Sequence, residues 1–211
     1  MLSRFRSTYQ RLMMPLGKLS VRLGLGPDFW TFASVALSVA AAYLFSQRSW
    51  GWGLILAILT YSVDGMDGAT ARARGTSSLF GTVLDHSVDR YVEFILLGGI
   101  LLSGHLPAWL LYSTIFGMVM ASYVRAKAES TGGLASCNVG WAGRAEKLIL
   151  LDVGLGLEAW FGVNGAILWS VILIGAISHI TFLQRLVYTR RQLDPDRSNA
   201  GSQSQPDMAK G

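Results

Sequence analysis

Cysteine is almost missing from this chain. Cys137 stands alone among 211 residues, so no intrachain disulfide can form, and the thiol reads as inert in a reducing compartment. Charge is scarce too: 15% of positions are charged against 51% hydrophobic, which leaves one ordinary globular domain or one compact membrane domain. A cleavable signal peptide has no place in the pattern. The first apolar run begins only at Phe29, behind a long basic segment, so that run is expected to stay in the protein. Internal repeats and a second domain are likewise absent from the sequence pattern.

What the chain does have is a series of apolar runs about twenty residues long, the length a helix needs to cross a bilayer core of roughly 30 Å. Six are legible: Phe29–Gln47, Trp52–Thr70, Leu79–Ser103, Pro107–Lys127, Ala145–Phe161 and Ala166–Val187. The second and third carry aspartates, yet their stretches Trp52–Val63 and Val92–Leu102 remain strongly apolar. The expected fold is therefore an all-α integral membrane protein of six transmembrane helices.

A net charge of +5 would suit nucleic acid, but its placement argues for a membrane. With alternating helices, sixteen of the eighteen Lys and Arg fall on one side; Arg48 lies on the other, and Arg90 within the third helix. The positive-inside rule turns the basic side to the cytoplasm of a multi-pass cell-membrane protein, with no nucleic-acid partner.

Ahead of the spans, Leu2, Phe5, Tyr9, Leu12, Leu16, Leu19 and Leu23 recur at spacings of three and four between Arg4, Arg6, Arg11, Lys18 and Arg22. That pattern predicts an interfacial amphipathic helix over residues 1–26, kinked or split at Pro15 and Gly17. Asp28 is positioned to cap the first span. In the outer turn before Pro107, His105 reads as a solvated residue. The polar, glycine-rich loop 128–143 has the length of a functional lid, with Arg125, Lys127, Arg144 and Lys147 at its borders. The membrane domain covers 27–190, and 191–211 reads as a disordered polar tail.

Within the spans lies a set of charges that a bilayer should reject. Asp64 and Asp67 are three apart, and Gly81, Asp85 and Asp89 are successively four apart, so each set lines one face of its helix. A short link near 74–78 makes the helices antiparallel neighbours whose carboxylates converge. Each charge at mid-bilayer costs about 2.5–3.5 kcal/mol on insertion scales, and Arg90 alone cannot balance four acids. Clustered carboxylates select hard cations such as Mg²⁺, Mn²⁺ or Ca²⁺, and two ions in one site suit phosphoryl transfer. Gly68, Ala71 and Gly81 leave room for a ligand to approach, and Arg72 suits a phosphate oxygen.

The pattern Asp64-x2-Asp67-Gly68-x2-Ala71-Arg72-x8-Gly81-x3-Asp85-x3-Asp89 resembles the signature of the CDP-alcohol phosphotransferases at all eight positions. The resemblance covers roughly residues 3–190. It implies transfer of a phospho-alcohol unit from CDP-diacylglycerol, or its archaeal ether analogue, to an acceptor hydroxyl with release of CMP. It further implies that Asp64, Asp67 and Asp85 bind one metal and Asp64, Asp85 and Asp89 a second, the ions being Mg²⁺ with Mn²⁺ as a substitute. Asp89 would also be the general base. Gly68, Arg72 and Ser78, with Asp28 and Thr31, match donor-contacting positions, and the enzyme would be a homodimer as its relatives are.

Segments around Ser122–Glu129, Arg144–Leu148 and Gln184–Leu186 are similar to those of the phosphatidylinositol-phosphate and archaetidylinositol-phosphate synthases. The resemblance implies that Arg125, Arg144 and Arg185 bind the phosphate of inositol phosphate. Arg125 departs from a common Lys, and Arg144-Ala145-Glu146-Lys147 departs from Arg-Pro-Glu-Arg. Glycerol 3-phosphate is the nearest competing acceptor; serine would not need this much positive charge. A cation transporter is the rival from another class, but it predicts acids spread through the depth of the bundle. A non-catalytic lipid-binding relative should have lost Asp89.

Overall fold

A computed structural model describes residues 13–194. Every regular element among them is a helix: residues 13–22, then α1 (Pro27–Ser46), α2 (Trp50–Arg74), α3 (Leu79–Leu102), α4 (Ala108–Ser130), α5 (Arg144–Phe161) and α6 (Ala166–Leu193). All six expected runs are helices, with ends displaced by a few residues. The largest displacement is at α6, which continues through Arg190 and Arg191 to Leu193, past the expected end at 187. The expected tail thus begins later; residues 195–211 lie outside the described residues, as do residues 1–12 of the expected amphipathic helix.

The chain forms two compact units. Among the described residues the first comprises 13–108 and 155–166, the second 109–154 and 167–194.

In the first unit, α1 and α2 are joined by only three residues and pack together, and α1 also packs on α3. The buried stripe of α1 is Thr31, Ser34, Ser38, Ala41 and Phe45, at alternating spacings of three and four. Small and hydroxyl side chains face inward, and the hydroxyls of Ser34 and Ser38 donate to carbonyls of their own helix. Small stripes of this kind let helix backbones approach closely where lipid removes the hydrophobic drive for association. Gly99 of α3 shows how closely, because a Cβ there would collide with the backbone of Ala42.

Many large apolar residues go the other way. Phe32 is 74% exposed, Trp52 69% and Phe94 57%, an outward face far larger than a water-soluble monomer tolerates. Among the described residues two helices, Pro27–Ser46 and Ala166–Leu193, are long and apolar enough to cross a membrane on composition alone, with mean hydropathy 1.6 and 2.1. α2 and α3 fall short by the same measure because they hold the acidic residues.

Three local expectations are corrected. Asp28 does not cap α1: Gly26 is the N-cap and Pro27 takes the first turn, a position suited to its fixed φ and missing N–H. Asp28 sits in the first turn instead, where its charge complements the helix dipole. The helix over 13–22 is not split at Pro15 or Gly17. Gly17 serves a different purpose, since a Cβ there would stand 2.5 Å from the carbonyl oxygen of Ala69, so the N-terminal helix lies directly against the aspartate segment of α2. Finally, His105 is not a freely solvated turn residue. Its Nε2 lies 2.6 Å from Glu158 Oε1, its ring packs 5.1 Å from Trp50, and nearby Arg48 donates through Nε and Nη2 to the Ser103 carbonyl.

In the second unit, α4 buries Leu111, Thr114, Met118 and Ala121 along one stripe. Thr114 Oγ1 donates across to the Val171 carbonyl of α6 at 3.3 Å. His179 of α6 meets Ser113 through both its hydroxyl and its carbonyl.

Candidate active site

The first unit builds the acidic site from one helix end and one helix start. α2 stops at Arg74 because Gly75 adopts φ 71° and its N–H closes the last turn onto Ala71 and Arg72, a left-handed cap that glycine provides at least cost. Three residues later Ser78 starts α3, its Oγ accepting from Gly81 N at 2.9 Å. The reversal brings Asp64 and Asp67 of α2 together with Asp85 of α3. One carboxylate oxygen from each of the three lies within 4.8 Å of the other two, and all three side chains are half-buried.

Two unit charges at that distance repel by about 3 kcal/mol at an effective dielectric constant of 20. An oxygen-only set of three converging carboxylates fits a hard divalent cation, which takes oxygen ligands and offsets this repulsion. The residues present therefore suit a divalent metal. Asp67 is held in place on both oxygens: Thr31 Oγ1 donates to Oδ2 at 3.0 Å, and the Gly68 N–H donates to Oδ1.

Asp89 stands apart from this group. It is buried, at 5% exposure, one helical turn beyond Asp85, about 6 Å further along the axis at 1.5 Å per residue. The same stripe continues to Glu93, 4% exposed and paired with Arg90 at 2.6 Å. Sequence reading overlooked Glu93, although the fourfold spacing from Asp85 through Asp89 pointed straight to it.

Among the expected donor-contacting residues, Thr31 is buried under Asp67, Ser78 is the N-cap of α3, and Asp28 and Arg72 are exposed. Arg72 lies close over Gly68, where a Cβ would stand 3.0 Å from its Nη1. At Gly81 a Cβ would meet only the Ser78 hydroxyl, at 3.2 Å. Ala71 is half-buried. The expected metal and donor positions thus all belong to the first unit.

The second unit contains the three expected acceptor cations. Arg125 Nε donates to Glu129 Oε1 at 3.0 Å, and Arg144 opens α5, half-buried. Arg185 is 7% exposed, and its guanidinium donates to two main-chain carbonyls, Val139 at 2.9 Å and Ala121 at 2.5 Å. Burial opposes the charge on Glu129, but the Cys137 N–H and the Arg125 guanidinium outweigh it and hold the carboxyl below its ordinary range. Cys137 is fully buried beside Thr189.

The Thr31 bond makes a separable prediction. Removing a hydrogen bond that orients a metal ligand typically costs 10- to 100-fold in affinity, so Thr31→Val should weaken Mn²⁺ binding about tenfold. Thr31→Ser, which keeps the hydroxyl, should restore it. Titration of the purified protein with Mn²⁺, read by electron paramagnetic resonance, measures both; equal affinity in Thr31→Val and wild type would remove the orienting role.

Comparison with known proteins agrees with this geometry. Residues 25–177 match the CDP-alcohol phosphatidyltransferase family. The archaetidylinositol phosphate synthase of Pyrococcus horikoshii is 32% identical over 92% of this chain and 99% of its own length. The phosphatidylinositol phosphate synthase of Mycobacteroides abscessus is 32% identical over 86% of this chain and 84% of its own. Among solved structures, the Mycobacterium tuberculosis phosphatidylinositol phosphate synthase with CDP-DAG bound superposes with a TM-score of 0.78 at 28% identity, covering 85% of this chain and 94% of that one. The same enzyme in complex with manganese and citrate gives 0.77 at 29% identity, over 84% and 88%. With three of the four signature aspartates converging on a helix reversal and the match spanning most of the chain, this protein belongs to the CDP-alcohol phosphatidyltransferase family and is a transferase.

Proposed function

We propose that this enzyme transfers a phosphatidyl or archaetidyl group from a CDP-linked lipid to a hydroxyl of inositol phosphate, releasing CMP. The observation that carries the reaction class is the convergence of Asp64, Asp67 and Asp85 within 4.8 Å. The acceptor reading is supported by relatives named for inositol phosphate products and by the cations of the second unit. Glycerol 3-phosphate, the competing acceptor, finds no counterpart among those names.

Asp64, Asp67 and Asp85 would hold one Mg²⁺, and Asp64, Asp85 and Asp89 would hold a second, with Mn²⁺ able to substitute. When bound, the ions neutralise charge on the donor pyrophosphate and on departing CMP. Asp89 accepts the proton of the acceptor hydroxyl as its oxygen bonds to the lipid-bearing phosphorus. The bond from that phosphorus to the bridging oxygen breaks, and CMP leaves with that oxygen. Arg72 contacts the donor phosphates, Gly68, Ala71 and Gly81 leave them space, and Asp28, Thr31 and Ser78 complete the donor-contacting set. Attack is in line without a lipid-enzyme adduct, because the motif supplies no Ser, Cys or His nucleophile. Six helices cross the cell membrane with the aspartates at the cytoplasmic side, where the basic segments gather, and the enzyme works as a homodimer.

Purified protein supplied with CDP-diacylglycerol, Mg²⁺ and in turn inositol phosphate, glycerol 3-phosphate, inositol or serine should release CMP fastest with inositol phosphate. Faster release with glycerol 3-phosphate would replace the acceptor, and no release with any of them would remove the activity. Arg144→Ala should raise the acceptor KM by about tenfold or more, the scale of one charge-assisted phosphate contact, while the donor KM changes little. An unchanged acceptor KM would take Arg144 out of the pocket.

A further inference from the structure

The second unit contains a hydrogen-bonded network that none of these roles uses. Glu129, near the end of α4, accepts with a single oxygen, Oε1, from Arg125 Nε at 3.0 Å and from the backbone N–H of Cys137 at 2.9 Å. That oxygen ties a helix cation to the loop between α4 and α5. The loop is also held from α6: Arg185 Nε donates to Val139 O at 2.9 Å, and Cys137 Sγ lies 3.8 Å from Thr189 Oγ1. Gly140 packs so closely on Thr181 that a Cβ would stand 2.5 Å from Thr181 Cγ2.

An exposed Arg–Glu pair four residues apart on a helix is ordinarily worth only about 0.3–0.5 kcal/mol, and these side chains are 43% and 32% exposed. Two observations lift this pair above that ordinary case. The carboxylate oxygen is shared with the N–H of a fully buried loop residue. The arginine bond is made through Nε, and among the described residues Nη1 and Nη2 have no protein partner. A guanidinium is a planar fork of five N–H donors that grips a phosphate through two parallel bonds. Fixing Nε sets the plane of the fork and leaves the terminal pair for an incoming anion.

We propose that Glu129 is a positioning residue for acceptor recognition, orienting Arg125 toward the acceptor phosphate while its second bond anchors the loop at Cys137. The inference rests on the reading of Arg125 as an acceptor ligand. Glu129 does not touch the acceptor; its negative charge acts only through Arg125 and the loop.

The test is steady-state kinetics of the purified full-length enzyme with CDP-diacylglycerol and inositol phosphate, using Glu129→Ala, Glu129→Gln, Arg125→Ala and the double alanine variant. Glu129→Ala should raise the acceptor KM about tenfold, with donor KM and kcat within about twofold, a split that marks lost acceptor binding. Glu129→Gln keeps an oxygen that accepts both N–H groups and should return the KM to within about threefold of wild type. In the Arg125→Ala background, removing Glu129 should add less than about twofold, because the two residues act as one unit. If Arg125→Ala raises the acceptor KM but Glu129→Ala does not, the positioning role is overturned and the acceptor reading stands. If Arg125→Ala leaves the acceptor KM unchanged, the acceptor reading itself fails and takes the inference with it. Donor and acceptor KM rising together in both Glu129 variants would mean general destabilisation and would also overturn the proposal.

Discussion

Asp85→Asn should lower CMP release by about a thousandfold, since metal-borne charge stabilisation is worth several kcal/mol and about 1.4 kcal/mol corresponds to each decade of rate. Asp85 is the only member of the converging triad supplied by α3, across from Asp64 and Asp67 on α2. Without it, the remaining pair are neighbours on one helix and no longer enclose an ion from two sides. The same substitution should also change stability in a direction that depends on metal. In chelator, removing one of three mutually repelling carboxylates relieves repulsion of about 3 kcal/mol per pair at an effective dielectric constant of 20, so Asp85→Asn should melt higher than wild type. With Mn²⁺ in excess the order should reverse, because a ligand that binds only the folded state stabilises it and the variant has lost that ligand. Melting curves in chelator and in Mn²⁺ check both limbs. A variant that gains as much from Mn²⁺ as wild type does would end the assignment of Asp85 as a ligand.

The parts of this molecule that follow from short-range pattern were legible in its sequence. The apolar runs give α1 to α6 within a few residues, and the spacing of Asp64, Asp67 and Asp85 implies the triad once the link at 75–78 is short. Contacts between residues far apart in sequence were not legible. His105 looks like an ordinary turn residue until Glu158, more than fifty positions later, lies 2.6 Å away. The bonds from the Arg185 guanidinium to carbonyls of two other segments have no signal in the sequence. Neither has the hydrogen bond from Thr31 to Asp67 on a different helix. Asp28 failed for a local reason: Pro27 is better suited to the first helical position, so the cap moved to Gly26. Thr31 and Arg185 are buried, and burial obliges a polar group to find a partner wherever the fold supplies one.

Asp89→Asn tests the remaining division of labour in the acidic stretch. Asp89 lies outside the converging triad, buried one turn beyond Asp85, so its loss leaves the three clustered carboxylates intact. Asn matches Asp in size, which keeps the packing of α3 and makes unfolding a poor explanation for any effect. A positioned general base contributes about 10²- to 10⁴-fold, and CMP release should fall by that amount while the donor KM shifts only a few-fold. Mn²⁺ should still bind the triad, at reduced stoichiometry if Asp89 also contributes to a second ion. The diagnostic is the pH profile: a base must be deprotonated to act, so the acid-side decline of wild-type turnover should flatten in the residual activity of the variant. Should the purified Asp89→Asn enzyme keep substantial turnover with an unchanged acid limb, the proton would have to leave the acceptor by another route. Asp89 would then be a buried structural acid like Glu93, which lies four residues further along the same stripe and is already paired with Arg90.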